Sequence, residues 1–446
     1  VTNKIPVKNV LNDVGPGFCP QKWRWLALYL QTGHKHSCHH PPPLHIPLNE
    51  IAENPAALHN TSHEKQMRKM MLEGGRPQEC SYCWNIEDMG NVSDRYVKNI
   101  DNVNQLFDVN EETEVLRNLP WDVDVNPYNM EISFSNACNF KCGYCCPSFS
   151  SLWEDEIKQY GPYDIKDGQY NLWDGIYSDK EYNPYVEAFW KWWPSLKKDL
   201  KIFRITGGEP LISRHTSKLI DMLEEEGNSN LFLQINTNMG VTNRRVTEFV
   251  TRVQGLIETK HIKNIRLFTS LECTGKQAEY MRRGLNYELF LENINTFLET
   301  VPTGYLSFMT TYNVLTVPYF KDFLKLVVQL REKWGDRITL DIAHLKEPPH
   351  WTMNILPKDF GTYIIDCVDF MRSHKYFSEI EINKMERVRD YFYNDSHAIS
   401  EEYRTNARKD FGKFFPEYDR RSNLNFNETF PELSNFLQEC VREANE

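Results

Sequence analysis

The chain has 446 residues, with 51 Lys and Arg against 62 Asp and Glu and a formal net charge of −11. That length leaves core burial unconstrained, so metal staples are not needed merely to fold, and the acidic balance argues against a nucleic-acid partner, which requires clustered cations. No apolar run reaches the roughly 18 residues of a spanning helix and the opening VTNKIPVKNVLNDVG lacks the apolar core of a secretion signal, so a soluble, cytoplasmic protein without a membrane partner is expected.

In chain order, residues 1–125 read as a domain of their own. The stretch HKHSCHHPPPLHIP (34–47) is rich in Pro and His, and helical periodicity is confined to pieces such as 56–74, so this region is built around something other than a broad apolar core. Residues 126–350 then alternate short β-rich runs with amphipathic helices. The runs are MEISFS (130–135), KIFRIT (201–206), LFLQINT (231–237), IRLFTSL (265–271), YLSFMTT (305–311) and ITLDIAH (338–344). Helices are expected over about 216–226, 242–258, 289–300 and 319–334, the last with Phe320, Leu324, Val327 and Val328 on one stripe. Such alternation predicts parallel strands and right-handed crossovers, an α/β fold that six units complete as a partial (β/α)6, TIM-like barrel. Trp190, Trp192 and Trp193 fall on a further helix and are expected to pack rather than stack on substrate. Residues 351–446 are charged and helical, with aromatic positions at Phe360, Tyr363, Phe370, Tyr391, Phe392 and Phe411, and form a C-terminal extension.

The eleven cysteines are an odd number and are bunched, which points to ligands rather than a disulfide framework. Cys138, Cys142 and Cys145 form CxxxCxxC directly after the first run of the barrel. Three thiolates on one tight loop hold three irons of a 4Fe-4S cube and leave the fourth open to a substrate or cofactor. A structural zinc loop is the alternative, although zinc favours CxxC pairs separated by a longer span.

CNFKCGYC (138–145) resembles the signature of the radical S-adenosylmethionine (radical SAM) superfamily, including the aromatic residue, Tyr144, before the third cysteine. TGGEP (206–210) is similar to that family's Gly-Gly-Glu motif, which implies that Gly207, Gly208 and Glu209 meet the amino group of the methionine moiety. INTNMG (235–240) resembles the ribose-contact strand, with Asn236, Thr237 and Asn238 as candidates. TSLECTGKQAEYMRRG (269–284) resembles the fourth-strand region, implying that Ser270 and Glu272 face the cofactor and that Arg282, with Arg283 as competitor, reaches its carboxylate. Here Glu272 stands where Asp is commoner. The resemblance spans about 130–344 and implies an enzyme, an oxidoreductase or transferase. In it S-adenosylmethionine is cleaved reductively and a 5'-deoxyadenosyl radical abstracts a substrate hydrogen, with a small donor such as flavodoxin or ferredoxin supplying the electron.

A second set, Cys19, Cys38, Cys80 and Cys83, suffices for a tetrahedral zinc site or a complete second 4Fe-4S cluster. FCPQKW, SCHHP, ALHNTSHEKQMRKMMLEGGRPQECSYCW and DRY resemble the N-terminal segment of radical SAM proteins with a twitch domain, the shorter relative of the SPASM domain, which favours iron and sulfur over zinc. His34, His36, His39, His40 and His45 crowd Cys38, and any could replace a cysteine as ligand. Cys146 is expected to point away from the triplet and pack; Cys273, which follows the cofactor-facing SLE, is expected to pack, with hydrogen-atom donation to a substrate radical as the alternative, and Cys367 and Cys440 are left over. The expected substrate is a peptide or protein residue, with a small metabolite such as a sugar or nucleoside derivative, or a non-catalytic metal-bound scaffold, as alternatives.

Overall fold

The computed structural model describes residues 5–100, 106–172, 175–394 and 399–446; the first four residues of the opening segment fall outside this set. Its strands in chain order are β1 (Trp25–Tyr29), β2 (His34–His36), β3 (Leu44–His45), β4 (Asn129–Ser133), β5 (Lys141–Cys142), β6 (Ile202–Thr206), β7 (Phe232–Asn236), β8 (Asn264–Thr269), β9 (Arg282–Arg283), β10 (Tyr305–Tyr312) and β11 (Ile338–His344). Nine form one sheet in the order β11-β10-β8-β7-β6-β4-β1-β2-β3, and β5 pairs with β9 alone. The six expected runs are β4, β6, β7, β8, β10 and β11, each parallel to its neighbour in chain order. The sheet is open, with β11 and β3 at its edges.

Along these strands alternate residues divide by face. Ile132, Ile205, Leu233, Leu267, Phe308 and Leu340 are buried, in one core with Leu219, Val250, Phe297 and Leu324 of the crossover helices. Glu131, Arg204, Gln234, Arg266 and Asp341 on the other face are half-buried and polar. The crossover helices run Arg214–Glu225, Asn243–Glu258, Tyr287–Thr300 and Phe320–Trp334. Helix Pro184–Leu196 carries the tryptophans; Trp192 and Trp193 are buried in the core and Trp190 stacks on Phe134 at 5.6 Å, so all three pack as expected.

Two features were not visible in the sequence pattern. β1 adds a seventh parallel strand beside β4, so the N-terminal segment is continuous with the main sheet. WLALY shows no alternation because four of its five residues are buried, and periodicity cannot identify such a strand. A separate small core holds Leu11, Phe18, Trp23, Met71, Trp84 and Leu116. Beyond β11, the helices are Gly361–Ser373, Glu379–Asn394, Glu401–Ser422, Phe426–Thr429 and Ser434–Asn445. The long one, 401–422, packs Phe414 against Trp351 and Tyr170, and Tyr418 against Trp153, which places it behind the cysteine loop. Among the described residues, no helix is long and apolar enough to cross a membrane.

Candidate active site and a second thiol cluster

The loop after β4 turns back on itself because β5 pairs antiparallel with β9, setting Cys142 opposite Arg282, and Gly143 N donates to Met281 O at 2.8 Å. Its carbonyls are held by side chains around it: Trp153 Nε1 donates to Cys142 O (2.8 Å), Tyr170 OH to Gly143 O (2.7 Å), Ser150 Oγ to Phe140 O (2.7 Å) and Gln169 Nε2 to Tyr144 O (2.8 Å). With the backbone so engaged, the thiols remain as the groups the loop presents. Gly143 has no room for a side chain, since a Cβ there would lie 2.3 Å from Trp351 Cζ2.

Cys138, Cys142 and Cys145 line one cavity of about 880 Å³. Gly207, Gly208, Asn236, Thr237, Asn238, Ser270, Arg282 and Tyr144 line the same cavity, so the structure brings together eleven of the residues the sequence singled out. Gly207 has φ +112°, which only glycine adopts readily, and a Cβ on Gly208 would sit 2.1 Å from Ala137 O. The two glycines therefore let the loop after β6 close directly on the cysteine loop, through Gly208 N to Ser135 O (3.2 Å) and Glu209 N to Ala137 O (2.8 Å). Asn238 Nδ2 reaches Asn139 Oδ1 (2.9 Å) and Cys138 Sγ (4.0 Å), and Phe140 N donates to Cys138 Sγ (3.4 Å).

Glu209 and Glu272 stand behind the cavity wall instead of in it. Glu209 is fully buried, accepting from Leu211 N (2.9 Å), Thr237 Oγ1 (2.7 Å) and Asn238 N (2.6 Å); it ties two strand-end loops together. Burial raises its carboxyl to about 7 despite these donors. Glu272 is spent on Tyr144 OH and Arg282 Nη2, both at 2.6 Å. Both carboxylates thus have internal donors, three at Glu209 and two at Glu272, out of the roughly four bonds a carboxylate accepts. Arg282, not Arg283, reaches the cavity.

Cys146 also needs correction: it lines the cavity with the triplet, because Phe149 and Ser150 turn back to bond its carbonyl. Cys273 is buried in the core, as expected, and so are Cys367 and Cys440. Sequence reasoning missed Asp167, Gly168 and Gln169, from the crossover after Tyr160, and Glu347 beyond β11. Those segments have no periodicity, and only the fold carries them to the cavity. Burial, then repulsion from Asp167, raises the Glu347 carboxyl.

Burial raises all three triplet thiols, Cys138 to about 12; neighbouring thiols add to it at Cys138 and Cys145, whereas Arg282 opposes it at Cys142. A site that resists three free thiolates is one that a cation neutralises, since metal binding deprotonates its thiol ligands. Three soft donors on one wall of a roomy cavity fit a 4Fe-4S cluster with an open iron.

Cys19, Cys38 and the pair Cys80 and Cys83 converge from three segments on a second, small cavity of about 30 Å³, with Lys22, Arg95 and Lys98 around them. Asn99 Nδ2 and Lys98 Nζ approach Cys19 and Cys38 Sγ at 3.7 and 3.8 Å. Burial raises Cys19 to about 11 and Cys80 to about 12, with neighbouring thiols adding to it. Of the five histidines only His40 lines this cavity, and its Nε2 is bonded to Asp94 at 2.7 Å. His36 bonds Pro41 O, His39 packs edge-on against Trp25, and His34 and His45 face each other beside Tyr185. Among the described residues, no three His, Cys, Asp or Glu side chains are already gathered as ligands of a single ion.

An α/β domain with three thiols on the loop after its first repeat strand, facing strand-end glycines and amides, is the architecture of a cofactor-dependent enzyme. In comparison with known families, residues 132–327 match the Radical SAM superfamily, and the chain carries a domain of that superfamily there. The domain implies a 4Fe-4S cluster, S-adenosylmethionine and its reductive cleavage, and hence an enzyme. The match does not extend to the N-terminal cysteines. No curated protein and no solved structure matches the chain.

Proposed function

We propose that the protein is a radical SAM oxidoreductase or transferase acting on a peptide or protein residue. Cys138, Cys142 and Cys145 hold the catalytic cluster, and Cys19, Cys38, Cys80 and Cys83 hold a second centre, iron–sulfur in this reading and zinc in the alternative. The observation that carries it is the convergence of the three thiols with Gly207, Gly208, Asn236, Asn238 and Ser270 on one cavity. The parallel order β4-β6-β7-β8-β10-β11 supports a partial barrel as its frame. When bound, the cluster and S-adenosylmethionine supply an electron and a hydrogen-abstracting group.

The chain's own residues bind and orient. The two glycines offer backbone at close range, the amides of Asn236 and Asn238 suit hydroxyls, and Tyr144, Phe268 and Phe149 give the cavity apolar surface that excludes water. The polar sheet face, with Glu131, Arg204 and Asp341, supports a substrate bearing both charges, such as a residue of a peptide. Lys22, Arg95 and Lys98 offset the charge of the second thiol set, and a small electron-transfer protein such as flavodoxin or ferredoxin, in the cytoplasm, is the proposed donor.

The test is anaerobic reconstitution with iron, sulfide and zinc analysis of the native chain, of Cys138→Ala/Cys142→Ala/Cys145→Ala and of Cys19→Ser/Cys80→Ser, with 5'-deoxyadenosine measured after reduction. About eight irons in the native chain, about four in the triplet variant and turnover lost only there is the expected result. Zinc without iron and no 5'-deoxyadenosine would leave a metal-bound scaffold.

A further inference from the structure

Arg282 makes bonds that its place in the sequence did not suggest. Its Nη2 is taken by Glu272 Oε2 at 2.6 Å, and the other oxygen of Glu272 accepts from Tyr144 OH at 2.6 Å. Nη1 points at Cys142 Sγ from 3.8 Å, and Nε is buried without a hydrogen-bond partner. The two charged side chains are only 6% and 0% exposed, and the guanidinium lies 5.5 Å from the centre of the Tyr144 ring. The β5–β9 pairing fixes this placement, because Cys142 and Arg282 are partners in register. One side of the guanidinium is therefore clamped by a carboxylate and the other presents positive charge to a cysteine sulfur.

We propose that Glu272 and Arg282 are a paired charge device that tunes the catalytic cluster through Cys142, with Glu272 the positioning residue; this rests on the reading of Cys142 as an iron ligand. In a water-poor wall, a cation near a thiolate stabilises negative charge on sulfur. Charge and N–H donors at the sulfurs are levers on iron–sulfur potentials. An extra electron is easier to accept beside the guanidinium, so removing Arg282 lowers the reduction potential. Removing the Glu272 charge leaves the guanidinium uncompensated and raises it. Loosening of the loop by either substitution would not produce opposite signs.

The experiment is a redox titration of the reconstituted full chain, followed by electron paramagnetic resonance, for native, Arg282→Gln, Arg282→Lys and Glu272→Gln proteins. Iron and sulfide content is measured in each, and the catalytic signal is assigned by its change on adding S-adenosylmethionine. Arg282→Gln is expected to shift the oxidised-to-reduced ratio at least tenfold toward oxidised, ~59 mV for one electron. Glu272→Gln shifts it toward reduced, and Arg282→Lys stays within about threefold of native. Equal midpoints, or shifts of one sign in both charge-removing variants at native iron content, overturn the inference. If Arg282→Gln does not hold iron, Glu272→Gln decides by the sign of its shift. A native chain that takes up no iron would instead refute the proposed function.

Discussion

Gly208→Ala puts one methyl group into the seam between the two loops that build the cavity. The new Cβ would lie 2.1 Å from Ala137 O and 2.6 Å from its carbonyl carbon, against an ordinary contact of 3.4 Å, so the loops must part by about 1.3 Å. The obstacle is backbone, not the end of a flexible side chain, and Ala137 is covalently joined to Cys138. Parting the loops breaks or stretches Gly208 N to Ser135 O and Glu209 N to Ala137 O. Two such bonds left unmade in a buried seam cost about 2–6 kcal/mol together, comparable with or above the ~1–3 kcal/mol of ordinary overpacking. The expected outcome is a lower urea midpoint and loss of the triplet's iron, about four per chain, while the N-terminal set keeps its metal. Gly255→Ala is the matched control: it sits in helix Asn243–Glu258 with open space at its Cβ and should gain about 0.5–1 kcal/mol without touching iron content. Native iron loading and native stability in Gly208→Ala would refute the argument that this glycine exists for close approach.

Two carboxylates should show opposite pH dependence in metal-free protein. The Glu209 carboxyl stands at about 7 against an ordinary 4.5, a difference worth about 3 kcal/mol; its contribution is fully present below pH 4.5 and lost as pH rises through 7. The stability difference between native protein and Glu209→Gln, from urea unfolding, should therefore fall across that window, and a flat difference would contradict it. Glu381 is bidentate to Arg331 and accepts from Leu340 N at 3.2 Å, closing the β11 edge. Burial pushes its carboxyl up, but the bonds from Arg331 and Ser378 outweigh this and hold it low. Its stabilisation is thus present above the ordinary carboxylate range and lost in acid, and Glu381→Ala, which strands a buried guanidinium, should cost about 3–5 kcal/mol in the same assay at neutral pH.

The sequence by itself determined the six repeat strands, the helices between them and the thiol pattern, because each is written in local periodicity or spacing: alternation in IFRIT and FLQIN, a helical stripe in Phe320–Trp334, CxxxCxxC on one loop. It also placed Gly207, Gly208, Asn236–Asn238 and Ser270 at strand ends, which parallel topology gathers at one end of a sheet. Tertiary structure alone decided which side chains face the cavity. Glu209 and Glu272 carry the expected residue types, yet their oxygens also accept from Thr237 and Tyr144, residues distant in the chain, and Cys146 faces the cavity because of how Phe149 and Ser150 fold back. β1, fully apolar and without alternation, became a strand only by finding β4 a hundred residues away, and Phe414 and Tyr418 of the C-terminal helix became the backing of the cysteine loop. Backbone periodicity is a local property, whereas hydrogen-bond saturation and burial depend on partners distant in the chain, and that difference separates what could be read from what had to be seen.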